Sequence, residues 1–220
     1  ETRSGDEQGT LDELKIYSVR VVLYDGTDPT PGSCKVEYVF DLDIQTPNSW
    51  TNSGSVSGWL EGGDFYQSSL SGSMLQFITA AQRVADKPYK MLVLINGKDI
   101  SITNNQKSIY NVTEKGCFLY QLYEAVKAEI NPQTGTVRGS KGIFMSNHQD
   151  LVEVTKAQLK KTVGEANENP IQIQVDRLVA KVTVKHASNF SFPDGVDPQS
   201  ATWGLAITNQ KTHWMRKMIG

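Results

Sequence analysis

The residues of this chain that could do chemistry are few and scattered. His148 and Asp150 could act as a base and its orienting carboxylate, or as two metal ligands, and Ser146 stands two residues before the histidine. Nucleophilic catalysis needs a hydroxyl, a base and an orienting group in fixed geometry, and nearness in sequence does not supply that geometry. His148 therefore reads as a polar residue where a strand gives way to a helix. His186 and His213 complete no cluster, and Asp43, Asp64 and Asp99 lack the regular acidic spacing of a calcium loop. Cys34 and Cys117 are far apart, with no CxxC and no Cys/His ligand spacing, so a zinc site has little support. They either pair in an oxidising compartment or stay as free thiols packed like small hydrophobes, and the second is expected. No GxGxxG, P-loop, HExxH or GxSxG run occurs. The chain is expected not to be an enzyme and to use no metal and no cofactor.

Trp50, Trp59, Phe65 and Tyr66 suggest a different chemistry. Aromatic side chains on polar loops stack against sugar rings or anchor an adhesive contact, burying much area at little cost in side-chain entropy. The alternative, and the expected one, is that they cover one end of a β-sandwich. Asn111-Val112-Thr113 and Asn189-Phe190-Ser191 match the glycosylation pattern, a match that chance often supplies.

Composition narrows the classes further. The 220 residues suffice for one large β domain, or for one domain and the start of another, and 38% hydrophobic residues can build a core. Twenty-two Lys and Arg against 24 Asp and Glu give a formal charge of -2. No basic surface for nucleic acid is expected from that balance. No apolar stretch is long enough to cross a bilayer as a helix. The polar opening Glu1 to Thr10, without an initiating methionine, reads as a mature or trimmed product.

The elements that would position these residues are mostly strands. The clearest pattern is Val175 to Lys185, where Leu178, Ala180, Val182 and Val184 alternate with Val179, Lys181, Thr183 and Lys185. Such a period of two marks a half-buried strand. Leu14 to Tyr24 alternates likewise, with Tyr17, Val19, Val21 and Leu23 on one face, and Asp25-Gly26 ends it. Cys34 to Leu42 is a second strand, and residues 48–73 are loops and short strands. Tyr89 to Ile95 is a short apolar run closed by Asn96-Gly97, which predicts a central strand covered on both faces. Phe118 to Ile130 changes period, with Leu119, Leu122, Val126 and Ile130 on one helical face and Asn131-Pro132 as its stop. A second short helix is expected over Thr155 to Val163, capped by Thr155. Ile171, Ile173 and Val175 alternate as a further strand, and Trp203 to Asn209 forms a late one. The fold class is mainly β, an antiparallel β-sandwich with one or two short helices.

Five blocks of this sequence, taken in order, resemble the fimbrillins that build the type V pili of Bacteroidales. They are Leu14 to Gly26, Lys90 to Gly97, Gly142 to Asn147, Asp176 to Val184 and Trp203 to Thr212, the last resembling most the minor or short-fimbria branch. The resemblance implies a transthyretin-like N-terminal β-sandwich over residues 1–187. Residues 188–220 would then be a linker and the first strand of an incomplete C-terminal β domain. It implies export as a lipoprotein to the outer membrane and cell surface, and a role in adhesion and virulence. It also implies cleavage by a trypsin-like protease behind a first strand, and by position Arg3 matches the cleavage arginine. The emptied groove would accept a strand from another fimbrial subunit, with Val19, Val21, Leu23 and Val182 on its rims. The competing reading is a carbohydrate-binding surface module that uses the loop aromatics on a host or bacterial glycan or protein.

Overall fold

The computed structural model describes residues 15–30, 32–43, 65–71, 74–79, 84–98, 100–102, 107–124, 128–129, 142–148, 150–160, 162–177, 194 and 211–212. Among these residues twelve strands run in chain order. They are β1 Ser18–Asp25, β2 Val36–Asp43, β3 Phe65–Ser71, β4 Met74–Thr79, β5 Tyr89–Ile95, β6 Ser101–Ile102, β7 Lys107–Ser108, β8 Ala128–Glu129, β9 Met145–Asn147, β10 Val152–Val154, β11 Val175–Arg177 and β12 Lys211–Thr212. The two α-helices are short, α1 Leu119–Glu124 and α2 Val163–Glu168.

One six-stranded antiparallel sheet dominates, in the order β11-β9-β5-β1-β2, with β10 pairing the start of β5 beside β9. The hairpin β3–β4 and the pairs β6–β7 and β8–β12 stand apart from it. The described residues thus form a mainly antiparallel fold with one principal sheet and two short helices, and not a closed two-sheet sandwich.

Residues 18–25 and 89–95 are rich in β-branched and long apolar side chains, which fit a pleated surface with both faces covered. Both faces are covered in both strands, as expected of Tyr89 to Ile95 and beyond what the alternation of Leu14 to Tyr24 predicted. On one face Val22, Tyr24, Leu92 and Leu94 pack with Val36, Ile100, Ile109, Leu119, Leu122 and Phe144. On the other, Val19, Val21, Leu23, Val93 and Ile95 pack with Phe40, Leu42, Tyr89 and Met145. β1 pairs with β2 along one side and with β5 along the other.

Two buried asparagines complete this sheet where backbone pairing stops. Between the register of β10 at Met91 and that of β9 at Leu94, the Asn147 carboxamide accepts from Val93 N at 2.8 Å and donates to Met91 O at 2.9 Å. It stands in for the missing stretch of strand. Asn96 has φ of 59° and ties the approach to β1 to the end of β5. Its Oδ1 accepts from Tyr17 N at 2.7 Å, and its Nδ2 donates to Lys15 O at 3.0 Å and Ile143 O at 2.9 Å. Gly142, at φ 79°, makes room for it, since a Cβ there would come within 2.7 Å of Asn96 Nδ2.

Several expectations need correction. The helix expected over 118–130 is α1, which ends at Glu124, and Ala128–Glu129 is already a strand paired with Lys211–Thr212. Leu119 and Leu122 are buried as the period required, while the side chains of Val126 and Ile130 lie outside the described residues. The helix expected over 155–163 is split into a 3-10 turn at Lys156–Gln158 and the separate α2. Each follows its own capping box: Thr155 N donates to Gln158 Oε1 at 2.8 Å, and Glu165 N donates to Thr162 Oγ1 at 3.2 Å. Ile171 and Ile173 are half-buried between exposed Gln172 and Gln174, but ladder pairing begins only at Val175. The strand expected over 178–185 and the one over 203–209 lie outside the described residues.

Candidate functional site

The sheet ends at β2, and the geometry along that outer side is specific. The start of β2 is covered: Val36 N donates to Cys117 O and Gly116 N donates to Val36 O, both at 2.8 Å, and Lys35 bridges to Phe118. Beyond Val36 no further described strand pairs with β2. A groove of about 560 Å³ runs there, lined by Tyr38, Val39, Phe40 and Asp41 with Arg20, Glu37, Glu114 and Lys115. Tyr38 stacks on Phe40 at 6.5 Å and meets Tyr89 edge-on at 5.8 Å.

Arg20 also lines the groove and is only 6% exposed. Arg20 and Asp41 are directly opposite on β1 and β2, and the guanidinium forks onto the carboxylate through Nε at 2.6 Å and Nη2 at 2.7 Å. Nη1 donates to Tyr110 O at 3.0 Å and to Thr113 Oγ1 at 3.1 Å, and the guanidinium carbon lies 3.5 Å from the Tyr110 ring centre. The planar fork matches the carboxylate on one side and the ring on the other, which a lysine could not do. This cluster fixes the 3-10 turn Ile109–Val112 against the edge.

Near the start of β2, at the opposite end from Asp41, the Lys87 ammonium bridges Asp25 at 3.0 Å and Glu37 at 2.6 Å. Asp25 also accepts from the Thr27 hydroxyl and backbone amide, at 2.6 and 2.9 Å. The Thr27 hydroxyl bond, then its amide, and then Lys87 lower the Asp25 carboxyl to about 2. Burial pushes the Tyr24 phenol far above its ordinary value, with the nearby Cys117 thiol adding to the effect, and its hydroxyl has no hydrogen-bond partner among the described residues.

The structure redistributes the residues singled out in the sequence. Val19, Val21 and Leu23 do share a face, at 2%, 5% and 3% exposure, but β1 is paired on both sides. Their backbone offers no open ladder to a further strand, and their side chains lie in the core. Arg3, Trp50, Trp59 and Val182 lie outside the described residues. Phe65 and Tyr66 fall in β3, opposite β4, and their side chains are likewise outside.

His148 finds a carboxylate, but not the one beside it in sequence. Its Nδ1 lies 2.5 Å from Asp176 Oδ2, joining β9 to β11, while Asp150 accepts from the Tyr123 hydroxyl at 3.2 Å. Ser146 is fully buried and its hydroxyl has no hydrogen-bond partner among the described residues, so no hydrogen bond links it to His148 as a nucleophile to its base. Cys34 and Cys117 are both free, the first buried and the second half-buried, as expected of packed thiols. In the Asn111 sequon, Asn111 Oδ1 accepts from Ser108 N at 2.8 Å and Thr113 is fully buried, so both serve the local turn. Among the described residues no three His, Cys, Asp or Glu side chains gather, and no helix is long and apolar enough to cross a membrane.

The chain matches no family model, no curated protein and no solved structure.

Sequence reasoning missed Arg20, Asp41, Asn96 and Asn147. A lone arginine inside an otherwise apolar alternation was the available signal for the first, because a charge in a covered strand demands a partner.

Proposed function

We propose that this chain is a structural subunit of a cell-surface fimbrium that polymerises by strand donation. In this reading the sheet is one layer of a transthyretin-like sandwich spanning residues 1–187, and residues 188–220 lead into a second β domain. A trypsin-like protease cuts after Arg3, and another subunit then supplies a strand. The β2 edge and its groove, not β1, receive it. A donor strand there gains ladder hydrogen bonds from the edge and packing from Tyr38 and Phe40. Donation of this head-to-tail kind does not close on itself and builds a filament.

The observation that carries this reading is the position of the blocks behind the resemblance. Four of them contribute β1, β5, β9 and β11, which are consecutive neighbours in one sheet. These segments span Ser18 to Arg177, and their adjacency in one sheet is what supports the reading.

The test uses the gene-encoded precursor treated with trypsin under limiting conditions. The expected result is a new N-terminus directly after Arg3, filaments by electron microscopy, and slowed amide exchange along Glu37 to Asp43. A cut chain that stays monomeric, with exchange at the β2 edge unchanged, would overturn the proposal.

A further inference from the structure

Asn96-Gly97 is the one Asn-Gly pair in the sequence, and it closes β5. In an unrestrained chain such a pair cyclises. The Gly97 backbone nitrogen gives up its proton to hydroxide and attacks Asn96 Cγ, a new C–N bond forms, and the bond to the side-chain nitrogen breaks. Ammonia leaves, and water opens the succinimide to aspartate or isoaspartate. Glycine favours this because it has no Cβ to shield its nitrogen. Water and hydroxide are the only co-reactants.

The folded chain opposes every part of that motion. Asn96 is 2% exposed. Its carboxamide accepts from Tyr17 N at 2.7 Å and Ser18 N at 3.4 Å, and donates to Lys15 O at 3.0 Å and Ile143 O at 2.9 Å. Its own amide donates to Ser18 O at 2.8 Å. The glycine beside it is confined too, since a Cβ on Gly97 would lie 2.9 Å from the Phe144 ring. Bringing Cγ onto the Gly97 nitrogen requires the carboxamide to leave all four backbone partners at once.

We propose that Asn96 is a conformation-gated deamidation site, protected while the approach to β1 is docked on the end of β5 and reactive only when that corner opens. The product makes the opening one-way. An aspartate keeps acceptors for Tyr17 and Ser18 but has no N–H for the Lys15 and Ile143 carbonyls, and it places a carboxylate among oxygens in a buried site. Isoaspartate also lengthens the backbone at a residue held at φ 59°. Molecules that open are therefore converted into molecules that close badly. This inference does not rest on the fimbrial reading and survives its failure.

The experiment incubates the purified chain at mildly alkaline pH, below its melting temperature, in buffer and in denaturing urea. The tryptic peptide Met91 to Lys98 is followed by mass for conversion of amide to acid. Conversion in buffer is expected to be about a hundredfold slower than in urea, because the reactive form is the rare opened one. Equal rates in the two conditions would overturn the gating. In urea, where folding plays no part, Gly97→Ala should slow conversion several-fold, and an unchanged rate would mean that Gly97 is not the nucleophile. For the consequence, Asn96→Asp should lower the melting temperature and speed amide exchange at Tyr17 and Ser18. Wild-type melting and protection in that variant would overturn the one-way character.

Discussion

Along β5 and the middle of β1 most side chains are apolar, whereas where β1 meets β2 the chain is also held by charges. Leu92 and Leu94 are fully buried in the centre, among Val22, Ile100, Ile109 and Phe144. At the edge, Arg20 is clamped between Asp41, Tyr110 and Thr113, and Lys87 between Asp25 and Glu37. Apolar burial has no direction, so it stabilises the centre without choosing a partner. A bidentate guanidinium bond is directional, so it favours one geometry of β1 against β2 at the edge. The centre supplies stability and the edge supplies shape.

The strongest way to break that contrast is to empty the centre. Leu92→Ala removes a fully buried side chain from a packed cluster and should cost about 2–5 kcal/mol in urea unfolding, as other buried leucines do. A loss under about 1 kcal/mol would mean that the centre is not the main source of stability. Arg20→Met asks the reciprocal question of the edge. Its partner Asp41 is 44% exposed, so water takes over the carboxylate, and the cost should be about 1–2 kcal/mol rather than that of a buried pair. Its larger expected effect is on shape. Amide exchange should rise over Ile109 to Thr113 and along Glu37 to Asp41 while the β1–β5 ladder stays protected. Uniform loosening of the whole sheet would show that centre and edge are one unit.

The contrast also explains what was legible in the sequence. Leu14 to Tyr24 announces a strand by its alternation and Tyr89 to Ile95 by its short continuous apolar run, and both are local properties. α1 was overextended because Leu119 and Leu122 keep helical spacing on their own, while Ala128–Glu129 owes its strand to Lys211–Thr212, more than eighty residues away. The break between Gln158 and Val163 was readable, since Thr162 and Glu165 repeat the capping pattern of Thr155 and Gln158. The polar hubs were not readable. Asn96-Gly97 looks like an ordinary turn, and the partners of its side chain lie 47 to 81 residues away. His148 was set beside Asp150 because they are near in sequence, yet strand pairing brings Asp176 to it from 28 residues away.

The finest test of the comparison is titration of the edge alone. The Asp25 carboxyl is held at about 2, against an ordinary value of 3.8, first by the Thr27 hydroxyl and then by the Thr27 amide and Lys87. Because its folded value is the lower one, the charged form is favoured by folding. Its contribution is complete above the ordinary value and disappears as pH falls through about 2. Asp25 is a quarter exposed, so solvent screening leaves an effect of about 1 kcal/mol. Wild type should therefore exceed Asp25→Asn in stability by that margin at pH 5. The gap should close between about pH 4 and pH 2, with most of the loss below the ordinary carboxylate value. The Leu92→Ala deficit measured over the same range should stay constant, because no proton is taken up by a leucine core. A gap between wild type and Asp25→Asn that persists unchanged at pH 2 would show that Asp25 acts through its shape and hydrogen bonds alone, and the assignment of this corner to charge would fall.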